Sequence, residues 1–266
     1  MLHILLLGFI LSHLMVHSIF AQSTVQRTKV LDAGTITGSV RLKDNPTAYE
    51  PMEITKDSKY CGKSKPSPRL IVGKNNGIQN AIVYLQDFTA LEKINENFKV
   101  TLDQKKCEYV PHIMIVPHGA QLDIVNSDPI LHNVHAYEIQ DVPKSIFNIA
   151  QPIKGQRTAI KRSLLEKPGI IEATCDAGHP WMSAYIMVAS HSYYTITDKN
   201  GEYKLENVPP GNYNIAMWHE GVRVTGKEID NGSVKKYHFE EPYELAQEIE
   251  LPPRGNKNIN FELVLR

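Results

Sequence analysis

The sequence predicts an all-β protein made of two β-sandwiches, for three reasons. Short runs in which apolar and polar residues alternate begin near Gly34 and continue to the end of the chain, which is the period-two pattern of half-buried strands. Gly, Pro, Asn and Asp residues, which favour turns, separate these runs. Beyond the N-terminal segment, only residues 87–98 have helical spacing, and they fit a surface loop equally well.

The length and charge of the chain limit the classes of function it can have. Its 266 residues are enough for one large β domain or two smaller ones. Lys and Arg number 29, as do Asp and Glu, so the formal net charge is +0. This balance gives no electrostatic basis for binding nucleic acid or an anionic membrane. We therefore expect a globular protein that recognises its partners through local surface features.

The N-terminal residues predict a signal peptide, residues 1–21, that directs export. Residues 4–11 form an apolar run that extends to Val16, and small residues precede a cleavage point after Ala21. The run is shorter than the roughly 20 residues of a membrane-spanning helix, and no later stretch is long and apolar enough to span. We expect a periplasmic or secreted protein in which residues 22–34 are a linker; a retained anchor is the alternative.

Residues 35–192 are predicted to form the first domain. Its clearest strands are expected at residues 36–42, 81–85, 112–116 and 121–125. Residues 56–68, rich in Pro and Lys, are predicted to form a long loop.

The three cysteines predict one disulfide and one thiol with another role. An odd number in an exported chain leaves at least one cysteine free, intermolecular or ligated. Cys61 and Cys107 have polar, loop-like neighbours, whereas Cys175 ends an apolar run. We predict a Cys61–Cys107 bridge, which would contribute about 3 to 4 kcal/mol by restricting the unfolded chain. Cys175 is then available for chemistry.

Residues 193–266 are predicted to form the second domain. The turn at residues 198–201 contains the Asn-Gly pair typical of hairpins. Together with the Val208-Pro209-Pro210-Gly211-Asn212-Tyr213 run, this segment resembles the carboxypeptidase regulatory-like family, which implies a small transthyretin-like β-sandwich. We expect this domain to be a scaffold that orients or docks the first domain. Residues 34–40 resemble the first strand of that family. If both segments belong to one sandwich, the first domain is inserted within it.

The segment Cys175-Asp176-Ala177-Gly178-His179-Pro180-Trp181-Met182 concentrates potential metal ligands. A thiolate, an imidazole and a thioether on one short loop suit a site that holds both Cu(I) and Cu(II). A further imidazole is needed from elsewhere. His132 supplies it, since it begins a strand after the turn that follows residues 121–125. The two loops would then meet at one end of a sandwich.

Residues 110–188 resemble the cupredoxins, the blue copper proteins. The resemblance lies in an Asn-x-Asp turn, then His-Asn-Val, then a Cys-x3-His-x2-Met loop. It implies one copper ion held by His132, Cys175 and His179, with Met182 as the axial ligand. It also implies that Asn133 braces the cysteine loop. His179, beside Pro180 and Trp181, would be the solvent-facing edge through which electrons pass.

The loop departs from the usual cupredoxin spacing, because fewer residues follow the histidine. It resembles the second half of the CuA loop of oxidases, whose earlier cysteine would fall at Ile171. Without a second thiolate a dinuclear centre is not expected, and Met182 is placed less firmly than the other three ligands.

The remaining histidines are expected to be structural or solvated. His135 follows His132 by three residues, so in a strand it faces the opposite side. His112 is the best candidate for a neighbour of the site.

These observations favour an exported electron-transfer protein, with a redox partner such as a cytochrome or an oxidase. We do not expect an enzyme, although a copper-dependent oxidoreductase and a copper-delivery role stay open. The chief alternative is a non-redox β-sandwich scaffold, an adhesion or carbohydrate-associated module, which would have no use for the four-ligand set.

Overall fold

The computed structural model describes residues 30–44, 51–86, 88, 98–140 and 142–266. The predicted signal peptide and almost all of the helix-like segment 87–98 lie outside these residues. In the part that is described, no helix is long and apolar enough to cross a membrane.

The described residues are almost entirely strands and loops. The strands are, in chain order, β1 (Gly34–Leu42), β2 (Met52–Glu53), β3 (Ser64–Lys65), β4 (Ile71–Val72), β5 (Ile78–Gln79), β6 (Ile82–Leu85), β7 (Lys99–Gln104), β8 (Tyr109–Val110), β9 (Ile113–Pro117), β10 (Gln121–Asn126), β11 (His132–Glu138), β12 (Lys144–Gln151), β13 (Arg157–Ala159), β14 (Gly169–Thr174), β15 (Ser183–Ala189), β16 (Tyr194–Ile196), β17 (Glu202–Val208), β18 (Gly211–His219), β19 (Val224–Asp230), β20 (Ser233–Phe239), β21 (Tyr243–Leu251), β22 (Asn256–Asn258) and β23 (Phe261–Leu263). One α-helical turn, α1 (Ser58–Cys61), and two 3₁₀ turns, Lys74–Asn76 and Arg162–Leu165, complete the elements. The predicted all-β fold class is confirmed.

The first sandwich packs two sheets around one apolar core. One sheet has the order β13-β10-β7-β8 and the other β12-β11-β14-β15-β9. Side chains of both sheets, such as Ile124 of β10 and Val134 of β11, meet in this core. All seven residues of β15 are buried, because both faces of that strand are covered.

The second sandwich takes strands from both ends of the chain. Its sheets have the orders β17-β1-β22, with β23 also paired to β1, and β16-β6-β18-β21. The first strand therefore belongs to this sandwich. β6 pairs with β16 and β18, so it lies in the second sandwich. The predicted division between residues 192 and 193 had placed β6 in the first domain. The strands of the first sandwich, β7 to β15, lie between β6 and β16 in the chain, which is the inserted arrangement that the sequence left open.

A third apolar cluster joins the two sandwiches. Tyr185 and Met187 of β15 pack with Ile82 of β6 and Trp218 of β18. Beside them lies the buried guanidinium of Arg69, which is 2% exposed and contacts the carboxylate of Glu220 at 2.9 Å. Burial alone would lower the pKa of Arg69, but Tyr185, Glu220 and Glu172 together raise it, so the guanidinium stays charged.

The predicted disulfide between Cys61 and Cys107 is present, with the two Cα atoms 5.5 Å apart. It attaches α1 to the loop that precedes β8, inside the core of the first sandwich. We call residues 56–62 the lid, because this segment lies over one end of that sandwich.

Candidate metal centre

Three of the predicted ligands are placed by the ends of strands in one sheet of the first sandwich. His132 is the first residue of β11, Cys175 follows the last residue of β14, and His179 lies in the turn that leads into β15. β11 and β14 are adjacent antiparallel strands, with His135 paired to Thr174. The start of one strand and the end of the other therefore lie together.

Turn chemistry shapes both loops. The Asn126 side chain accepts the amide of Asp128 at 3.0 Å and donates to the carbonyl of Ile130 at 2.9 Å, which fixes the approach to His132. In the other loop Gly178 has a φ of 88°, a left-handed conformation that glycine adopts without strain. These local features define the shape of the two loops.

The two imidazoles and the thiol converge on one buried point. The Nδ1 atoms of His132 and His179 are 3.1 Å apart, and Sγ of Cys175 is 3.6 Å from Nδ1 of His179. Potential ligand atoms of all three residues lie within 4.8 Å of one another. Both histidines are 0% exposed and Cys175 is 4% exposed. The structure thus brings together three of the four residues that the sequence predicted as ligands.

Each imidazole is held from behind by a carboxylate. Nε2 of His132 is 2.9 Å from Oδ2 of Asp128, and Nε2 of His179 is 2.9 Å from Oδ2 of Asp57. This is the arrangement by which proteins orient histidine ligands, since an Nε2–H donated to a carboxylate leaves the Nδ1 lone pair free.

The electrostatics of the site favour neutral imidazoles beside an ionised Asp128. Burial lowers the pKa of both His132 and His179, although their carboxylate partners oppose this. Burial by itself would raise the pKa of Asp128, but it is lowered by hydrogen bonds from the amides of Cys107 and Lys106, from the Tyr60 hydroxyl and from His132. An ionised Asp128 can only accept, so His132 donates its Nε2 proton.

The sulfur of Cys175 lies among hydrogen-bond donors. Burial raises the pKa of the Cys175 thiol, and the backbone amides of Asn133 and Ala177 partly oppose this. The Asn133 side chain also accepts the amide of Asp176, so this residue links β11 to the cysteine loop. The Tyr109 hydroxyl donates to the carbonyl of Asn133, and two backbone amides directed at one sulfur are suited to a thiolate.

The donor set fits a copper ion. With both Nε2 protons donated to carboxylates, two imidazole lone pairs face each other across 3.1 Å in a buried site. A cation that binds both nitrogens and the sulfur would satisfy these acceptors, and imidazole with thiolate is a set that suits copper and also zinc. The chemistry of the residues therefore agrees with the metal that the sequence predicts.

Met182 and Trp181 lie beside the three converging residues. Met182 is 1% exposed and belongs to the core cluster that contains Cys175 and Trp181, and its amide donates to the carbonyl of His179 at 3.0 Å. Its role as axial ligand stays a prediction. Trp181 is also buried, and its Nε1 donates to the carbonyl of Cys107 at 3.1 Å, so it packs inside the site.

The expectation that His179 forms a solvent-facing edge is wrong. The imidazole is buried beneath the lid, where Asp57 accepts its Nε2–H. The lid was predicted only as a loop, and its contact with His179 spans 122 residues of sequence. The one indication was Cys61, whose bridge to Cys107 draws the lid toward this end of the sandwich.

Two other histidines lie away from the converging point. His135 is outside it and contacts Asp176 and Ser145, in agreement with the predicted opposite face. His112 is not a neighbour of the site; its Nε2 contacts Glu220 and its Nδ1 lies 2.8 Å from the carbonyl of Ser183, between the sandwiches.

A second group of potential ligands is formed by Cys107, Asp128 and His132, again within 4.8 Å. Because Cys107 is bonded to Cys61, its sulfur is not a thiolate, and this group shows instead that the disulfide borders the site.

Comparisons with known proteins find only partial structural similarity. No family model matches the chain, and no curated protein matches it. A copper-containing nitrite reductase (NirK) from Thermus scotoductus SA-01 aligns over 40% of this chain and 26% of its own, with 22% identity and a TM-score of 0.30. A purple cupredoxin from Nitrosopumilus maritimus aligns over 35% of this chain and 100% of its own, with 19% identity and a TM-score of 0.29.

Amicyanin from Paracoccus versutus aligns over 42% of this chain and 100% of its own, with 19% identity and a TM-score of 0.29. The chain spans about a quarter of the nitrite reductase that it matches. At this level of similarity, function has to be inferred from the side chains of the site themselves.

Proposed function

We propose that the protein binds one copper ion through His132, Cys175 and His179, with Met182 as the axial ligand, and transfers single electrons. The observation that carries this proposal is the convergence of two imidazole Nδ1 atoms and one thiol in a buried site, with each Nε2 held by a carboxylate. A packed core has no need of such a set, because every buried acceptor without a donor destabilises the fold.

The residues around the site would hold the ligand side chains in place when copper is bound. Asp128 and Asp57 fix the two imidazoles, and Asn133 ties the cysteine loop to β11. Bound copper would supply a one-electron couple, Cu(II)/Cu(I). A site whose ligand residues are held by such hydrogen bonds would need little rearrangement when its charge changes, which is the requirement for rapid electron transfer.

The setting of the site in the cell is proposed on the sequence. The N-terminal segment favours export to the periplasm or outside the cell, and the disulfide agrees with an oxidising compartment. There a redox protein such as a cytochrome or an oxidase would exchange electrons with the site.

Addition of Cu(II) to the purified mature protein tests the proposal. We expect one equivalent to bind and to give an intense visible band from thiolate-to-copper charge transfer. Cys175→Ser should abolish the band, and His132→Gln should weaken copper binding by at least about 10-fold, since it removes one of the four proposed ligands.

His238→Gln is the matched control, because the His238 side chain is exposed and its Nε2 contacts Glu228. It should leave the band unchanged. A wild-type protein that stays colourless with Cu(II), and in which Cys175→Ser changes nothing, would favour the non-redox scaffold.

A further inference from the structure

The lid carries a carboxylate to the far side of the His179 imidazole. Asp57 occupies the N-cap position of α1, where an aspartate side chain usually accepts an amide of the first turn. Here it makes no such cap, and its backbone has φ 51° and ψ 30°, a left-handed conformation that is uncommon outside glycine. Its carboxylate lies instead 2.9 Å from Nε2 of His179. The Asp57 side chain therefore contacts His179 rather than capping α1, while the Asp57 carbonyl accepts the amides of Tyr60 and Cys61.

Several contacts hold the lid against the site. Lys56 donates through Nζ to the carbonyl of Ala177 at 2.6 Å, and its side chain covers Gly178, where an added Cβ would come within 2.7 Å of it. Tyr60 donates to Asp128 at 2.8 Å. Cys61 is bonded to Cys107. The lid is thus fastened to the turn that carries His179 and to the carboxylate behind His132.

The two carboxylates differ in how they are held. Asp128 is 1% exposed and accepts hydrogen bonds from the amides of Cys107 and Lys106 in addition to the one from His132. It therefore also stabilises the loop that contains Cys107. Asp57 is 34% exposed, and the carboxylate reaches His179 from a separate part of the chain. Removing its charge should therefore change the site with less effect on the fold than removing that of Asp128.

We propose that Asp57 is a positioning residue, which through its contact with Nε2 turns Nδ1 of His179 toward Cys175 and His132 and, with the lid, closes the imidazole edge to solvent. This inference rests on the proposed copper site. As the carboxylate adds negative charge behind one ligand, it stabilises the more positive ion, Cu(II), over Cu(I).

The test compares Asp57→Asn, Asp57→Ala and Asp57→Glu with the wild-type full chain. Asn tolerates the left-handed conformation of residue 57 and removes only the charge. Glu53→Gln is the matched control, since it removes an exposed charge from β2, three residues before the lid. The first measurement is made without metal: ¹⁵N NMR of the imidazoles reports which nitrogen of His179 carries the proton.

We expect His179 to hold its proton on Nε2 in the wild type and in Asp57→Glu, and to show a mixture of both forms in Asp57→Ala. With copper bound, Asp57→Ala should weaken affinity by about 10-fold or more. Asp57→Asn should raise the reduction potential more than Glu53→Gln does. The thiolate-to-copper band should persist in every variant, because Cys175 is untouched.

The inference is overturned if Asp57→Ala and Asp57→Asn match Glu53→Gln in the state of His179, in copper affinity and in potential. That outcome is distinct from a failure of the copper proposal, in which the wild type itself gives no thiolate-to-copper band while the NMR measurement still reports on Asp57.

Discussion

The two sandwiches differ in what their buried polar groups contact. In the second sandwich, Thr197 donates to the carbonyl of Ile78 and accepts the amide of Ala81, and His191 donates to the carbonyl of Leu85 and accepts the amide of Tyr193. These side chains complete the hydrogen bonds of neighbouring backbone.

At the lid end of the first sandwich, the outer nitrogens of His132 and His179 contact carboxylates, while their inner nitrogens face each other and a thiol. The comparison shows how buried polar side chains that stabilise the fold differ from buried polar side chains that can bind a ligand. A buried polar group whose bonds all end on nearby backbone stabilises the fold, whereas buried acceptors that face one another form a place where a cation can bind.

The largest expected effect distinguishes a residue that packs a core, Phe261, from a residue proposed to bind metal, Cys175. Phe261→Ala in the second core should lower the free energy of unfolding by about 4 kcal/mol, because Phe261 is 2% exposed and its removal leaves a cavity. Cys175→Ala in the metal-free protein should cost only about 1 kcal/mol, although it removes a proposed ligand. Urea unfolding of both variants measures the difference.

The control for this pair is copper binding, which Phe261→Ala should keep and Cys175→Ala should lose. A metal-free Cys175→Ala protein as unstable as Phe261→Ala would mean that the thiol is packing, and the distinction between the two cores would be wrong.

Removal of the disulfide is expected to have the next largest effect. Cys61→Ala with Cys107→Ala should lower the free energy of unfolding by about 3 to 4 kcal/mol, since the bridge links residues 46 apart and restricts the unfolded chain. The freed lid should also expose His179 to solvent. Thermal unfolding measures the first effect and hydrogen exchange of the lid amides the second. A lid that stays protected in the double variant would show that Lys56 and Asp57 suffice to hold it.

A smaller effect should arise from His191 in the second sandwich. Burial lowers the pKa of His191 to about 4 from 6.5, so between these values the unfolded chain binds a proton that the folded protein does not. Stability is then complete above the unfolded pKa and falls as the pH drops toward the folded one. From pH 7 to pH 5 this group alone should cost about 2 kcal/mol.

His191→Gln, which keeps a donor and an acceptor, should flatten that part of the pH dependence in urea unfolding measured across the same range. His238→Gln, on the exposed side of β20, should leave the slope unchanged. Equal slopes in His191→Gln and the wild type would show that His191 does not stay neutral inside the second sandwich.

Local patterns were enough to predict much of the fold. Alternation placed β1 and β10, and the cysteine environments gave the Cys61–Cys107 bridge. The short Cys175–Met182 loop and the turn before His132 predicted residues that the structure brings together, since each group of ligands lies within a few positions of a strand end. Periodicity and turn chemistry carry this information along the chain.

Contacts between distant segments could not be predicted in this way. β6 pairs with β18, more than a hundred positions away, so its sandwich was not evident from its own four residues. Asp57 meets His179 across 122 positions. The sequence of the Lys-rich loop does not indicate that Asp57 contacts His179, because this contact depends on how the whole lid packs against the cysteine loop.

X-ray absorption at the copper edge of the copper-loaded protein tests the central claim most directly. One sulfur at thiolate distance together with the scattering pattern of two imidazoles, with the sulfur lost in Cys175→Ser, is the result expected for a site formed by His132, Cys175 and His179. A first shell of nitrogen and oxygen alone, unchanged by Cys175→Ser, would contradict it.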